Sequence, residues 1–66
     1  MIITLNGQQH ALDKSLNITE LLSANGYEGK IVAVAVNGDF VPKSKYDTHN
    51  LQDNDRIEIV APMQGG

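Results

Sequence analysis

Residues 31–42 read IVAVAVNGDFVP, and this stretch decides the fold. Its first six residues are all apolar, which is typical of a strand inside a sheet. Because side chains alternate along a strand, they divide into two faces. One face carries Val32, Val34 and Val36, and the other carries Ile31, Ala33 and Ala35. Asn37-Gly38 predicts a two-residue hairpin turn into a short strand around Phe40 and Val41, which Pro42 ends.

The N-terminal stretch, residues 1–12, predicts a second hairpin of the same kind. It reads MIITLNGQQHAL, with Met1, Ile3 and Leu5 on one face. Asn6-Gly7 separates two short strand-like runs, and both residues suit a turn that needs positive φ. Leu12 is expected to point inward from the second strand.

Residues 17–26, NITELLSANG, predict the one good helix, from Ile18 to Asn25. Asn17 is a preferred N-cap residue, and Glu20 stands three positions later, as a capping box requires. An apolar stripe at helical spacing consists of Ile18, Leu21 and Leu22. Gly26 suits the position after the C-cap, where left-handed backbone favours glycine.

The C-terminal third predicts a polar connection and one more strand. Residues 43–55 form a loop or a short 3₁₀ turn, with Leu51 as the anchor in the core. Asp53-Asn54-Asp55 is interpreted as a polar turn and not as a calcium loop, because the glycine and glutamate of that loop are missing. In RIEIVAP, residues 56–62, Ile57 and Ile59 face inward and Pro62 closes the strand.

Together these elements predict an α+β fold of the β-grasp, or ubiquitin-like, type. A mixed sheet of four to five strands packs on one main helix, with the first and last strands parallel in the middle and the hairpin partners flanking them. We expect this domain to span residues 1–61. Residues 62–66 are expected to form a flexible C-terminal tail.

Composition excludes several classes of function. The chain has 66 residues and no cysteine, so disulfides, thiolate metal sites and cysteine nucleophiles are excluded. Its formal net charge of -3 and the lack of a basic stripe argue against nucleic-acid binding. There is no targeting segment and no apolar run long enough to span a membrane, so a cytoplasmic protein is expected. His10 and His49 stand alone in the sequence, and no metal site is expected.

The ending APMQGG, residues 61–66, is the remaining place for chemistry. The sequence has no phosphate-binding glycine loop and no nucleophile-base constellation. An extended chain from Ala61 to Gly66 reaches at most about 20 Å. Gly65 has no Cβ and lets the backbone thread a narrow channel, so the Gly66 carboxylate can arrive at a distant active site. Adenylation by a partner enzyme would activate that carboxylate for attack by sulfur.

A second candidate site is a flat apolar surface near the tail. If the valines face the helix, Ala33 and Ala35 lie beside Val60 on the other side of the sheet. Two interpretations stay open: ordinary apolar exposure, or a docking patch for a partner, to which Pro62 and Met63 would contribute.

Four segments match a known family over the whole chain: MIITLNG, NITELL, IVAVAVNGDFVPKSKY and LQDNDRIEIVAPMQGG. The chain resembles the ThiS family of small sulfur carriers in thiamine biosynthesis. The resemblance implies that the protein is not itself an enzyme and binds no cofactor. A ThiF-like adenylyltransferase would use ATP to adenylate Gly66, and a donor such as a cysteine desulfurase would supply sulfur for a thiocarboxylate. Thiazole synthase, ThiG, would receive that sulfur.

Three other interpretations stay open. The small subunit of molybdopterin synthase shares the fold and the Gly-Gly ending, although that family is usually longer. A noncovalent β-grasp interaction module would leave the tail idle. A protein modifier would be attached to lysines through Gly66.

Overall fold

The computed structural model describes residues 1–61 and shows a five-stranded mixed sheet with one α-helix. In chain order the elements are β1 (Ile2–Leu5), β2 (Gln8–Ala11), α1 (Ile18–Ala24), β3 (Ala33–Val36), β4 (Asp39–Val41), a 3₁₀ turn (Lys43–Lys45) and β5 (Arg56–Val60). The strand order across the sheet is β2-β1-β5-β3-β4. This arrangement confirms the predicted β-grasp.

The last strand occupies the middle of the sheet. β5 runs parallel to β1, with Leu5 opposite Ile57, and antiparallel to β3, with Ala33 opposite Val60. The two hairpin partners, β2 and β4, form the edges, as predicted. The parallel pairing of the first and last strands in the middle of the sheet is confirmed, and β3 lies inside the sheet as expected.

Both hairpins turn at the predicted Asn-Gly pairs. Asn6 and Gly7 have φ of 48° and 84°, and Asn37 and Gly38 have φ of 53° and 87°. Two consecutive positive φ angles define the turn whose twist matches that of the flanking strands. The turns fix the register, so Val36 pairs with Asp39.

The helix begins at its predicted cap and ends one residue earlier than predicted. Asn17 accepts a hydrogen bond from the Glu20 N–H at 2.8 Å, and the Glu20 carboxylate accepts one from the Asn17 N–H at 2.9 Å. Asn25 is the C-cap and not the last helical residue. Gly26 follows with φ of 83°, and the Tyr27 N–H donates to the Leu22 carbonyl at 2.9 Å, which completes a Schellman motif.

One core lies between the helix and one face of the sheet. The buried side chains are Ile3, Leu5, Ile18, Leu21, Leu22, Val34, Val36, Val41, Tyr46, Leu51, Ile57 and Ile59. Leu51 anchors the polar connection, as predicted. Leu12 and Val32 lie just outside β2 and β3 and not within them, but both still pack on this core in part. Tyr46, which the sequence did not mark, is buried after the 3₁₀ turn.

Candidate functional site

β5 carries the chain from the centre of the sheet to the segment that the sequence marks for chemistry. Ile57 and Ile59 are buried beneath the helix, and Val60 and Ala61 are exposed. Pro62, Met63, Gly65 and Gly66 lie outside the described residues, so their predicted roles stay predictions. The domain boundary after residue 61 also stays a prediction.

The face of the sheet opposite the helix carries the predicted apolar surface. Ala33 and Ala35 alternate with the buried valines of β3, and Val60 is the cross-strand partner of Ala33. Cross-strand partners project from the same face, which brings the three side chains together. Val60 leaves 64% of its surface exposed, far more than a core residue does.

Phe40 joins this surface, although the sequence interpretation did not include it. It pairs with Ala35 across the β3–β4 hairpin and is 69% exposed. The signal was present in the sequence, since a two-residue Asn-Gly turn sets Ala35 opposite the second residue after the turn. Here the term open-face patch denotes Ala33, Ala35, Phe40 and Val60.

The open-face patch surrounds a shallow depression of about 260 Å³. Glu58 lies on the same face and lines the depression together with the patch residues. An apolar centre with a charged neighbour is the usual layout of a protein–protein contact surface. The patch includes Val60, the last residue of β5, which lies two positions before the predicted tail.

Two further features considered from the sequence are the Asp53-Asn54-Asp55 segment and the candidate metal ligands. Asp53 accepts a hydrogen bond from the Ile2 N–H at 2.6 Å, and Asp55 accepts one from the Gln52 N–H at 2.8 Å. These contacts confirm that Asp53-Asn54-Asp55 is a turn, with Asn54 at φ of 72°. Among residues 1–61, no three His, Cys, Asp or Glu side chains come together as metal ligands would.

The helices within residues 1–61 can be compared with the prediction that no apolar run is long enough to span a membrane. None of them has the length and apolar character that crossing a bilayer would need. α1 itself has seven residues.

Comparison with known proteins gives the family. The model of the ThiS family matches residues 3–66. The sulfur carrier protein ThiS of Thermus thermophilus is 35% identical over 65 residues, which are 98% of this chain and 100% of that protein. The crystal structure of the thiamine biosynthesis protein ThiS from Geobacter metallireducens superposes with a TM-score of 0.85 at 36% identity, covering 100% of both chains.

A longer relative contains the same region. The thiazole synthase of Paramagnetospirillum magneticum is 36% identical over all 66 residues, and the chain spans only 20% of that protein's length. The family model, the full-length relative and the superposed structure agree in fold, length and sequence. The chain belongs to the ThiS family.

Proposed function

We propose that the chain is the sulfur carrier of thiazole formation in thiamine biosynthesis, and that the Gly66 carboxylate carries the sulfur. The observation that carries this proposal is the ThiS family match, which extends through the Gly-Gly end at residues 65–66. The absence of cysteine from the sequence supports it, since no side-chain thiol is present to hold sulfur.

The chemistry follows from the carboxylate. A carboxylate resists nucleophilic attack because its oxygen is a poor leaving group. An oxygen of Gly66 attacks the α-phosphorus of ATP in a partner's active site, and pyrophosphate leaves. If hydrosulfide attacks the acyl adenylate, AMP leaves with the oxygen and the terminus becomes a thiocarboxylate directly. If a persulfide attacks, AMP leaves and an acyl disulfide forms, and a thiol then reduces it to the thiocarboxylate and is itself oxidised to a disulfide with the donor. The chain acts as a protein cosubstrate and not as an enzyme, and it binds no cofactor itself.

The proposal assigns separate roles to the folded domain and to the C-terminal residues. The open-face patch docks on the partner, and Pro62 and Met63 extend the contact at the base of the tail. The tail reaches at most about 20 Å into the active site. Gly65 threads the channel because a glycine has no Cβ to clash with the walls.

Three partners follow from this scheme. A ThiF-like adenylyltransferase uses ATP to activate Gly66, a cysteine desulfurase or related donor supplies sulfur, and thiazole synthase receives it. The Paramagnetospirillum relative supports the last partner, because a region similar to this chain occupies 20% of a protein named thiazole synthase. Joining a carrier to its acceptor raises their effective concentration. We place these reactions in the cytoplasm, where ATP is available.

The ThiS match favours this function over the other interpretations. The full-length match to a ThiS sulfur carrier argues for the thiazole pathway over molybdopterin synthase. An idle tail or attachment to lysines would need no sulfur donor, and the experiment below separates these cases.

The test is intact-protein mass spectrometry after incubation with a ThiF-like adenylyltransferase, ATP and a sulfur donor. We expect the mass to rise by the difference between one sulfur and one oxygen. A variant lacking Gly66 is the control, which should keep its fold and gain no sulfur. If the full chain gains none either, the carrier function is wrong. Rescue of a molybdenum-cofactor mutant, without rescue of a thiamine mutant, would reassign the pathway.

A further inference from the structure

Backbone pairing extends further along the side of β5 that faces β3 than along the side that faces β1. Toward β3 the ladder continues to the last residue of the strand, where Val60 pairs with Ala33. Toward β1 the pairing covers only Thr4 with Arg56 and Leu5 with Ile57, because β1 then turns away at Asn6. Backbone pairing with β1 therefore stops before the part of β5 that leads into the tail.

Asn6 continues the ladder on that side with its side chain. Its N–H donates to the Ile57 carbonyl at 2.9 Å, and its Oδ1 accepts from the Ile59 N–H at 2.8 Å. In a parallel pair of strands, a residue donates its N–H to a carbonyl of the neighbouring strand. Its own carbonyl accepts from the N–H of the residue two positions further along that strand. Asn6 reproduces this step, with the amide oxygen in place of the main-chain carbonyl.

We propose that the Asn6 amide oxygen is a positioning group for the C-terminal tail. It holds β5 through Ile59 on one side while Ala33 holds Val60 on the other. The end of β5, at Ile59 and Val60, is thereby fixed relative to the open-face patch, to which Val60 belongs. In a docked carrier, the tail then starts from a fixed point relative to the patch. This role rests on the function proposed above.

Asn37 provides a matched control at the opposite end of the same strand. Its N–H donates to the Arg56 carbonyl at 2.7 Å, and its Oδ1 accepts from the Arg56 N–H at 2.9 Å. Both asparagines have positive φ before a glycine and contact β5 through the same two groups. Arg56 begins β5, however, so Asn37 lies far along the strand from the tail.

The first measurement concerns the contact itself. In the unmodified protein, NMR should detect a coupling across the hydrogen bond between the Ile59 amide nitrogen and the Asn6 side-chain carbonyl carbon. In Asn6→Gly, which keeps the turn, exchange of the Ile59 amide should rise about fivefold relative to the Leu21 amide. Asn6→Asp keeps an acceptor and should restore protection. No coupling, or an unchanged exchange ratio, overturns the proposal.

The second measurement concerns delivery of the tail. Thiocarboxylate formation is followed with the adenylyltransferase, ATP and a sulfur donor while the carrier concentration is varied. Asn6→Gly should lower kcat about tenfold with little change in KM, because the patch is intact and the carboxylate is misplaced. Asn6→Asp should recover kcat, and Asn37→Gly should resemble the unmodified chain once both are shown to be folded.

The outcomes separate this inference from the proposed function. If the unmodified chain gains no sulfur, the carrier function fails, while the exchange measurement still tests the contact. If it gains sulfur and Asn6→Gly matches it in kcat, the positioning role is wrong and the carrier function stands. Equal losses of kcat in Asn6→Gly and Asn37→Gly would show a general loss of stability, which also overturns the positioning role.

Discussion

Along β5, Ile57 and Ile59 face the helix and are buried, whereas their neighbours Glu58 and Val60 face the other way and are exposed. β3 shows the same division between its valines and its alanines. The covered face stabilises the fold, because burial removes apolar surface from water. The open face carries apolar side chains that the fold leaves exposed. Residues one position apart in sequence therefore divide into a buried face that stabilises the fold and an exposed face, for which we propose partner docking.

The largest expected effect is on the covered face. Ile57→Ala should destabilise the protein by about 3 kcal/mol, since a fully buried isoleucine loses its packing and leaves a cavity. A domain this small has roughly 3–5 kcal/mol of net stability, so the variant should keep at most about 2 kcal/mol of it. Urea unfolding followed by circular dichroism measures the change.

Glu58→Ala is the matched control, one residue away and facing the open side. Its stability should change by less than about 0.5 kcal/mol. If Ile57→Ala cost no more than Glu58→Ala, the division of the strand into a structural face and an open face would be wrong.

A substitution on the open face should weaken partner binding and leave the stability of the fold nearly unchanged. Phe40→Ala should raise the KM for the adenylyltransferase about tenfold, because an exposed aromatic in an apolar patch is a typical hot spot. Its stability should fall by less than about 1 kcal/mol. Steady-state kinetics with varied carrier and urea unfolding measure the two effects.

Ile2→Ala tests whether the KM increase is specific to residues of the open-face patch. Ile2 also projects from the open face and is 46% exposed, but it lies on β1, near the start of β5 and away from Val60 at its end. We expect its KM to stay close to that of the unmodified chain. Equal KM increases in the two variants would spread the contact over the whole face, and no increase in either would remove the patch from docking.

The smallest effect concerns the helix that covers the sheet. Asn17→Ala should cost about 1 kcal/mol, because the Glu20 N–H loses its acceptor at the helix start. KM should not change, since the helix lies on the face opposite the patch. Thermal unfolding and the same kinetic assay check both expectations, and a raised KM would show that the helix side also contacts the partner.

Much of this fold was predictable from local signals. Asn6-Gly7 and Asn37-Gly38 defined the two turns, because few residue pairs accept two positive φ angles. Asn17 and Glu20 defined the helix start. The errors were small and local: the helix ends at Ala24, while Leu12 and Val32 lie just beyond the bounds of β2 and β3. Leu12 still exchanges two backbone hydrogen bonds with Met1, at 2.7 and 3.0 Å, beside the last residue pair of the first hairpin.

Part of the candidate site was also predictable. Alternation along β3 put Ala33 and Ala35 on one face, and the expected pairing added Val60. Phe40 was missed because membership of the patch depends on which residues face each other across a hairpin, and composition does not show this. The roles of Pro62, Met63, Gly65 and Gly66 remain predictions from the sequence and the family.

The sequence by itself determined the element types, the turns and the helix cap, because each depends on the conformational preferences of a few adjacent residues. The tertiary structure decided the register of β5 against its two neighbours, added Phe40 to the open-face patch, and showed that Asn6 holds Ile59. Asn6 and Ile59 are 53 positions apart in the chain. Such contacts depend on the register between distant strands, which the packing of the whole core sets.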